Sequence, residues 1–82
     1  MEREIKQFIL AALKRANDVP MPDSTIRQCV RSAFPHVSLT TGELGDIIQE
    51  MDEASLIAGT NDEVAGLVWL LTPKGKIRSQ KL

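Results

Sequence analysis

Between Ser32 and Pro73 the chain contains neither lysine nor arginine, while seven acids fall there: Glu43, Asp46, Glu50, Asp52, Glu53, Asp62 and Glu63. That absence argues against the middle of the chain as a surface for phosphate backbones, whose affinity comes from basic side chains. Residues 1–31 carry six basic and four acidic groups, and residues 74–82 carry four basic groups and no acid. A formal net charge of −1 therefore conceals an acidic middle and a basic end.

Other scarcities are equally informative. One cysteine, Cys29, excludes a disulfide framework and a cysteine-rich metal site. The single histidine, His36, has no second His, Cys or paired carboxylate at ligand spacing, so no metal is expected. Cys29 and His36 lie seven residues apart on opposite sides of a helix end, without the base and orienting group a nucleophile needs. GELG and AGTN lack the lysine and the glycine spacing of a phosphate loop. No catalytic residue, cofactor or enzyme activity is expected. Apolar runs are short, five residues from Leu67 to Leu71, against the roughly 20 needed to cross a bilayer. The mixed-charge start MEREIKQ is unlike a signal peptide, and a cytoplasmic, membrane-free protein is the expectation.

What is present reads as one small domain. Eighty-two residues bury only about 60% of their extended surface, so the core is modest. Residues 2–16 predict a helix with Ile5, Phe8, Ile9, Ala12, Leu13 and Ala16 on one stripe, acids in its first turn and bases in its last. Residues 17–22, with Pro20 and Pro22, predict a turn. A second helix from Pro22 to Ala33 or Phe34 places Ile26, Cys29 and Val30 inward and Arg27 and Arg31 together on its outer side. Val37 and Leu39 alternate as a short edge strand would.

The third helix starts at a capping box, Thr40 with Glu43, and buries Leu44, Ile47, Ile48 and Met51. A hairpin follows as LIAG, a TNDEVA loop with its turn at Asn61-Asp62, and GLVWLLT. Trp69 is expected in the core with Leu67 and Leu71, and Val68 and Leu70 on the other face. Thr72-Pro73 reads as a cap followed by proline at the first helical position, opening the tail with one turn before it frays.

This order, with the TTGEL helix entry, the DEASLIAG step and the WLLTPKG ending, resembles the winged-helix family. The resemblance implies an α+β fold, a three-helix winged helix-turn-helix with a small antiparallel hairpin wing over residues 1–76, and a basic tail over 77–82. It further implies a third helix entering the DNA major groove through Thr41, Gly42, Gly45, Asp46, Gln49, Glu50 and Glu53, with a wing tip at Asn61, Asp62 and Glu63.

The charges oppose that use. One carboxylate about 6 Å from a phosphate costs roughly 0.7 kcal/mol even in water, and more near a protein surface. The third helix holds five acids and no base. The expectation is therefore a DNA-associated regulator that touches duplex backbone weakly through Arg27, Arg31, Lys74, Lys76, Arg78 and Lys81. The alternative is a docking module presenting Glu43, Asp46, Gln49, Glu50, Glu53, Asp62 and Glu63 to a basic protein, with Val68 and Leu70 or the wing as the apolar part. A homodimer through the first helix or the outer strand is a further reading.

Overall fold

The computed structural model describes residues 1–81. In chain order it contains helix α1 (Glu2–Arg15), strand β1 (Met21–Pro22), helix α2 (Asp23–Ala33), helix α3 (Thr41–Glu53), strand β2 (Ile57–Asp62), strand β3 (Gly66–Leu71) and helix α4 (Pro73–Ser79). The class is α+β: four helices around an antiparallel sheet of order β1-β3-β2 among the described residues.

The core is where the apolar stripes of three helices meet the sheet. Ile5, Ile9 and Leu13 of α1, Ile26 and Val30 of α2, and Leu44, Ile48 and Met51 of α3 pack with Ile57 and Trp69. Each such aliphatic side chain contributes about 1.5–3 kcal/mol when fully removed from water. Leu10 is also buried, although it lies off the expected stripe, because α1 is packed by α4 as well as by α2 and α3. Phe8 and Phe34 meet edge to face at 5.7 Å, closing the α1–α2 junction.

Both ends of α3 are set locally. Thr40 Oγ1 accepts from the Glu43 amide at 3.0 Å while the Thr40 amide donates to the Glu43 carboxylate at 3.2 Å. At the other end Ser55 turns left-handed (φ 61°). Its amide donates to Asp52 O at 2.9 Å and the Leu56 amide to Met51 O at 3.0 Å. This pair of bonds is a Schellman motif, and it throws the chain directly into β2.

Three expectations are corrected. The strand expected at Val37 and Leu39 does not form; the sheet's third strand is Met21–Pro22, paired with Val68 and Trp69. Pro22 forces Met21 into extended geometry, and proline is tolerated at a sheet edge because its missing N–H is not needed there. Val37 instead donates its amide to Phe34 O at 3.1 Å in the turn after α2. Secondly, β2 runs through Asn61 to Asp62, which pairs with Gly66, so the wing tip is residues 63–65 rather than Asn61 to Glu63. Gly59 lies inside β2 for a packing reason: a Cβ there would stand 2.8 Å from the Trp69 ring. Thirdly, Val68 is only 5% exposed and Leu67 is 40% exposed, so the sheet's second face is not an open apolar patch at Val68.

After β3 the chain does not fray. Thr72 Oγ1 accepts from the Gly75 amide at 2.9 Å, capping α4 with Pro73 in its first turn. The helix runs past position 77, where the basic tail is expected to begin, and Ser79 is 3% exposed against the body of the domain. Gly75 permits this docking, since a Cβ would fall 2.0 Å from the carbonyl oxygen of Leu56.

Candidate functional site

The exposed side of α3 is as acidic as its sequence suggests, and mostly uncompensated. Of its five acids, Glu50 alone has a cation among the described residues, Lys6 of α1, at 2.7 Å. The Lys6 ammonium holds Glu50 below the ordinary carboxylate range, and Glu50, then Glu2 at 3.2 Å, hold Lys6 above its own. Glu43 is occupied in the helix cap, and Glu53 accepts from the Gln49 amide group at 3.1 Å. Asp46 and Asp52 are exposed with no cation against them among the described residues. Thr41, Gly42 and Gln49 are likewise exposed, whereas Gly45 is half-buried beside Arg27.

Arg27 and Arg31 are brought to one place, but for an internal task. Arg27 Nε donates to Asp23 at 2.7 Å and its Nη1 to Thr41 O at 3.0 Å. Arg31 Nη1 donates to Leu39 O at 2.8 Å. Together they bind the Leu39 carbonyl of the α2–α3 connection and the Thr41 carbonyl at the start of α3. Lys76 pairs with Asp18 at 2.7 Å, and Lys74 Nζ donates to Ala54 O at 2.9 Å. Lys74 thus supplies, from α4, the positive charge that the last turn of α3 lacks.

Arg78 and Lys81 remain, and the docking of α4 carries them to the N-terminal half of α1. There they line one cleft with Arg3, Lys6, Gln7, Leu10 and Leu56. Among the described residues, no side-chain carboxylate lines it. Arg3 could not be singled out from the sequence, because its place beside Arg78 comes from packing between the two ends of the chain.

No family model, curated protein or solved structure matches this chain. Its chemistry is therefore read from its own side chains.

The tip of the β2–β3 hairpin is hydrogen-bonded to itself. Asp62 Oδ1 accepts from the Val64 amide at 2.8 Å and the Ala65 amide at 2.9 Å, and Gly66 completes the turn with φ 78°. Those two amides, Ala65 first, hold the Asp62 carboxyl below its usual range. Val64 is left 97% exposed between Glu63 and Ala65. Cys29 is half-buried and free, His36 is exposed, and no group of three or more His, Cys, Asp or Glu comes together for a metal among the described residues. No helix there is long and apolar enough to cross a membrane.

Proposed function

We propose that the chain is a winged-helix module that associates with nucleic-acid backbone through the face made by α1 and α4. One observation carries the reading: Arg3, Arg78 and Lys81 surround a single cleft with no carboxylate among its described lining residues, while Lys6 beside them is held by Glu50 and Glu2. The acidic side of α3 supports the same orientation by exclusion, since a phosphate approaching it meets Asp46, Asp52 and Glu53. Arg27 and Arg31 are left out of the interface because one or more donors of each already tether it to Asp23, Thr41 or Leu39, away from the α1–α4 face. Contact is to backbone, without base reading, and steeply salt-dependent; about three phosphates neutralised correspond to a log–log salt slope near −3.

The test is an amide-shift titration of the chain with duplex DNA at low ionic strength. Shifts should appear around Arg3, Arg78 and Lys81, and Ala at all three should remove them while the remaining spectrum persists. A duplex that perturbs α3 first, or perturbs no amide, sinks this reading.

A second reading is a docking module for a basic protein, favoured by Asp46 and Asp52 standing without cations among the described residues. Reversing Asp46, Asp52 and Glu53 to Lys should then abolish partner capture and leave duplex binding no weaker.

A further inference from the structure

The sheet has two edges, and they are managed differently. The β1 edge is two residues long and contains Pro22, both common ways of preventing strand addition. The β2 edge is six residues long and contains neither Lys nor Pro, and residues 58–62 are exposed along it. With β3 as its one neighbour, its outer N–H and C=O groups receive no backbone hydrogen bond from any other described segment.

The two ends of that edge carry complementary features. At its far end stands the wing tip, an almost fully exposed Val64 beside Asp62 and Glu63, held in one shape by the Asp62 carboxylate. At its near end is a shallow groove with Leu56 and Ile77 as its apolar floor and Lys74, Arg78 and Lys81 around it. Ile77 is 58% exposed there, and Lys74 is tethered to Ala54 just before the strand. An apolar knob with an acidic collar and an apolar groove with a basic collar are thus set apart by the length of β2, about 20 Å at ~3.4 Å per residue.

We propose that two copies of this chain pair their β2 edges antiparallel about a two-fold axis, each Val64 seating on the Leu56–Ile77 groove of the other. Charge fixes the direction. A parallel, in-register pair would set the two Asp62 carboxylates side by side. Antiparallel pairing centred on Thr60 places Asp62 opposite Ala58, Glu63 opposite Ile57 and Val64 opposite Leu56, at the end of the partner strand where Lys74 stands. The contact repeats identically at both ends, so it is isologous and closes at two copies. This inference does not rest on the nucleic-acid reading, and its test contains no nucleic acid.

Sedimentation of the full chain across a concentration series should show a monomer–dimer equilibrium that weakens as salt is raised. Val64→Asp and Glu63→Lys should each weaken it about tenfold or more. Neither side chain reaches the core, and an unchanged amide spectrum checks the fold. In a Cys29→Ala background, Val64→Cys on one chain and Ile77→Cys on another should form a mixed disulfide on mild oxidation. A monomer up to millimolar concentration overturns the proposal. So does a dimer indifferent to both tip variants, or a cross-link that forms between two Val64→Cys chains in place of the mixed pair.

Discussion

Trp69 Nε1 donates to Asp23 Oδ1 at 3.0 Å, joining residues 46 apart in sequence. The second oxygen of the same carboxylate accepts from Arg27 Nε at 2.7 Å, and Arg27 in turn reaches Thr41 O. One acid at the first position of α2 therefore ties the middle strand of the sheet to the start of α3. A buried indole N–H needs a partner, and this carboxylate is the one it has.

Removing that acid should be costly for its size. Asp23→Ala leaves the Trp69 N–H and the Arg27 guanidinium without their acceptor and is expected to lower the unfolding free energy by about 2 kcal/mol. Asp23→Asn keeps an acceptor for the indole and loses only the ion pair, so about half that loss is expected. Urea denaturation followed by circular dichroism separates the two.

Gly75→Ala is expected to undock α4. The added methyl would collide with the backbone of Leu56, which cannot rotate away as a side chain tip would. A loss of about 3 kcal/mol is expected from overpacking, with faster amide exchange along α4 as its signature. Gly42→Ala is the control. Its Cβ would meet only Thr40 Oγ1 at 3.9 Å, and stability should hold or rise.

Ser55→Gly should stabilise. Ser55 occupies the left-handed position of the Schellman motif, where a side chain costs about 1–2 kcal/mol. Glycine removes that cost and returns roughly half of it as unfolded-chain entropy. A net gain of about 0.5–1 kcal/mol, or a melting temperature up by about 5 °C, is expected.

The β2–β3 hairpin should respond to acid. Asp62 has a folded-state pKa below its ordinary value of 3.8 because two amides donate to the carboxylate. Its contribution to stability is therefore complete above pH 3.8 and is lost as pH falls through the lower, folded-state value. The Val64 and Ala65 amide shifts should titrate with a midpoint below 3.8, and Asp62→Asn should abolish that titration.

Features written within a few residues were legible in the sequence. The Thr40–Glu43 box, the Leu44–Ile47–Ile48–Met51 stripe and the Thr72-Pro73 cap depend on local spacing, and each stands where its spacing puts it. Features decided by distant partners were not. Met21 and Pro22 become a strand only because Trp69 and Val68 lie beside them. Arg27 and Arg31 look like a free basic pair until the carbonyls of the following connection are placed next to them. The cleft shared by Arg3 and Arg78 depends on the first and last helices meeting, which no window along the chain reveals.

The chain has one tryptophan and no tyrosine. Its long-wavelength ultraviolet emission therefore comes from a single indole, the one bonded to Asp23. Fluorescence is thus a private reporter of the junction between sheet and second helix. Loosening there should change the signal, while a ligand seated on the cationic cleft, which Trp69 does not line, should leave it unchanged.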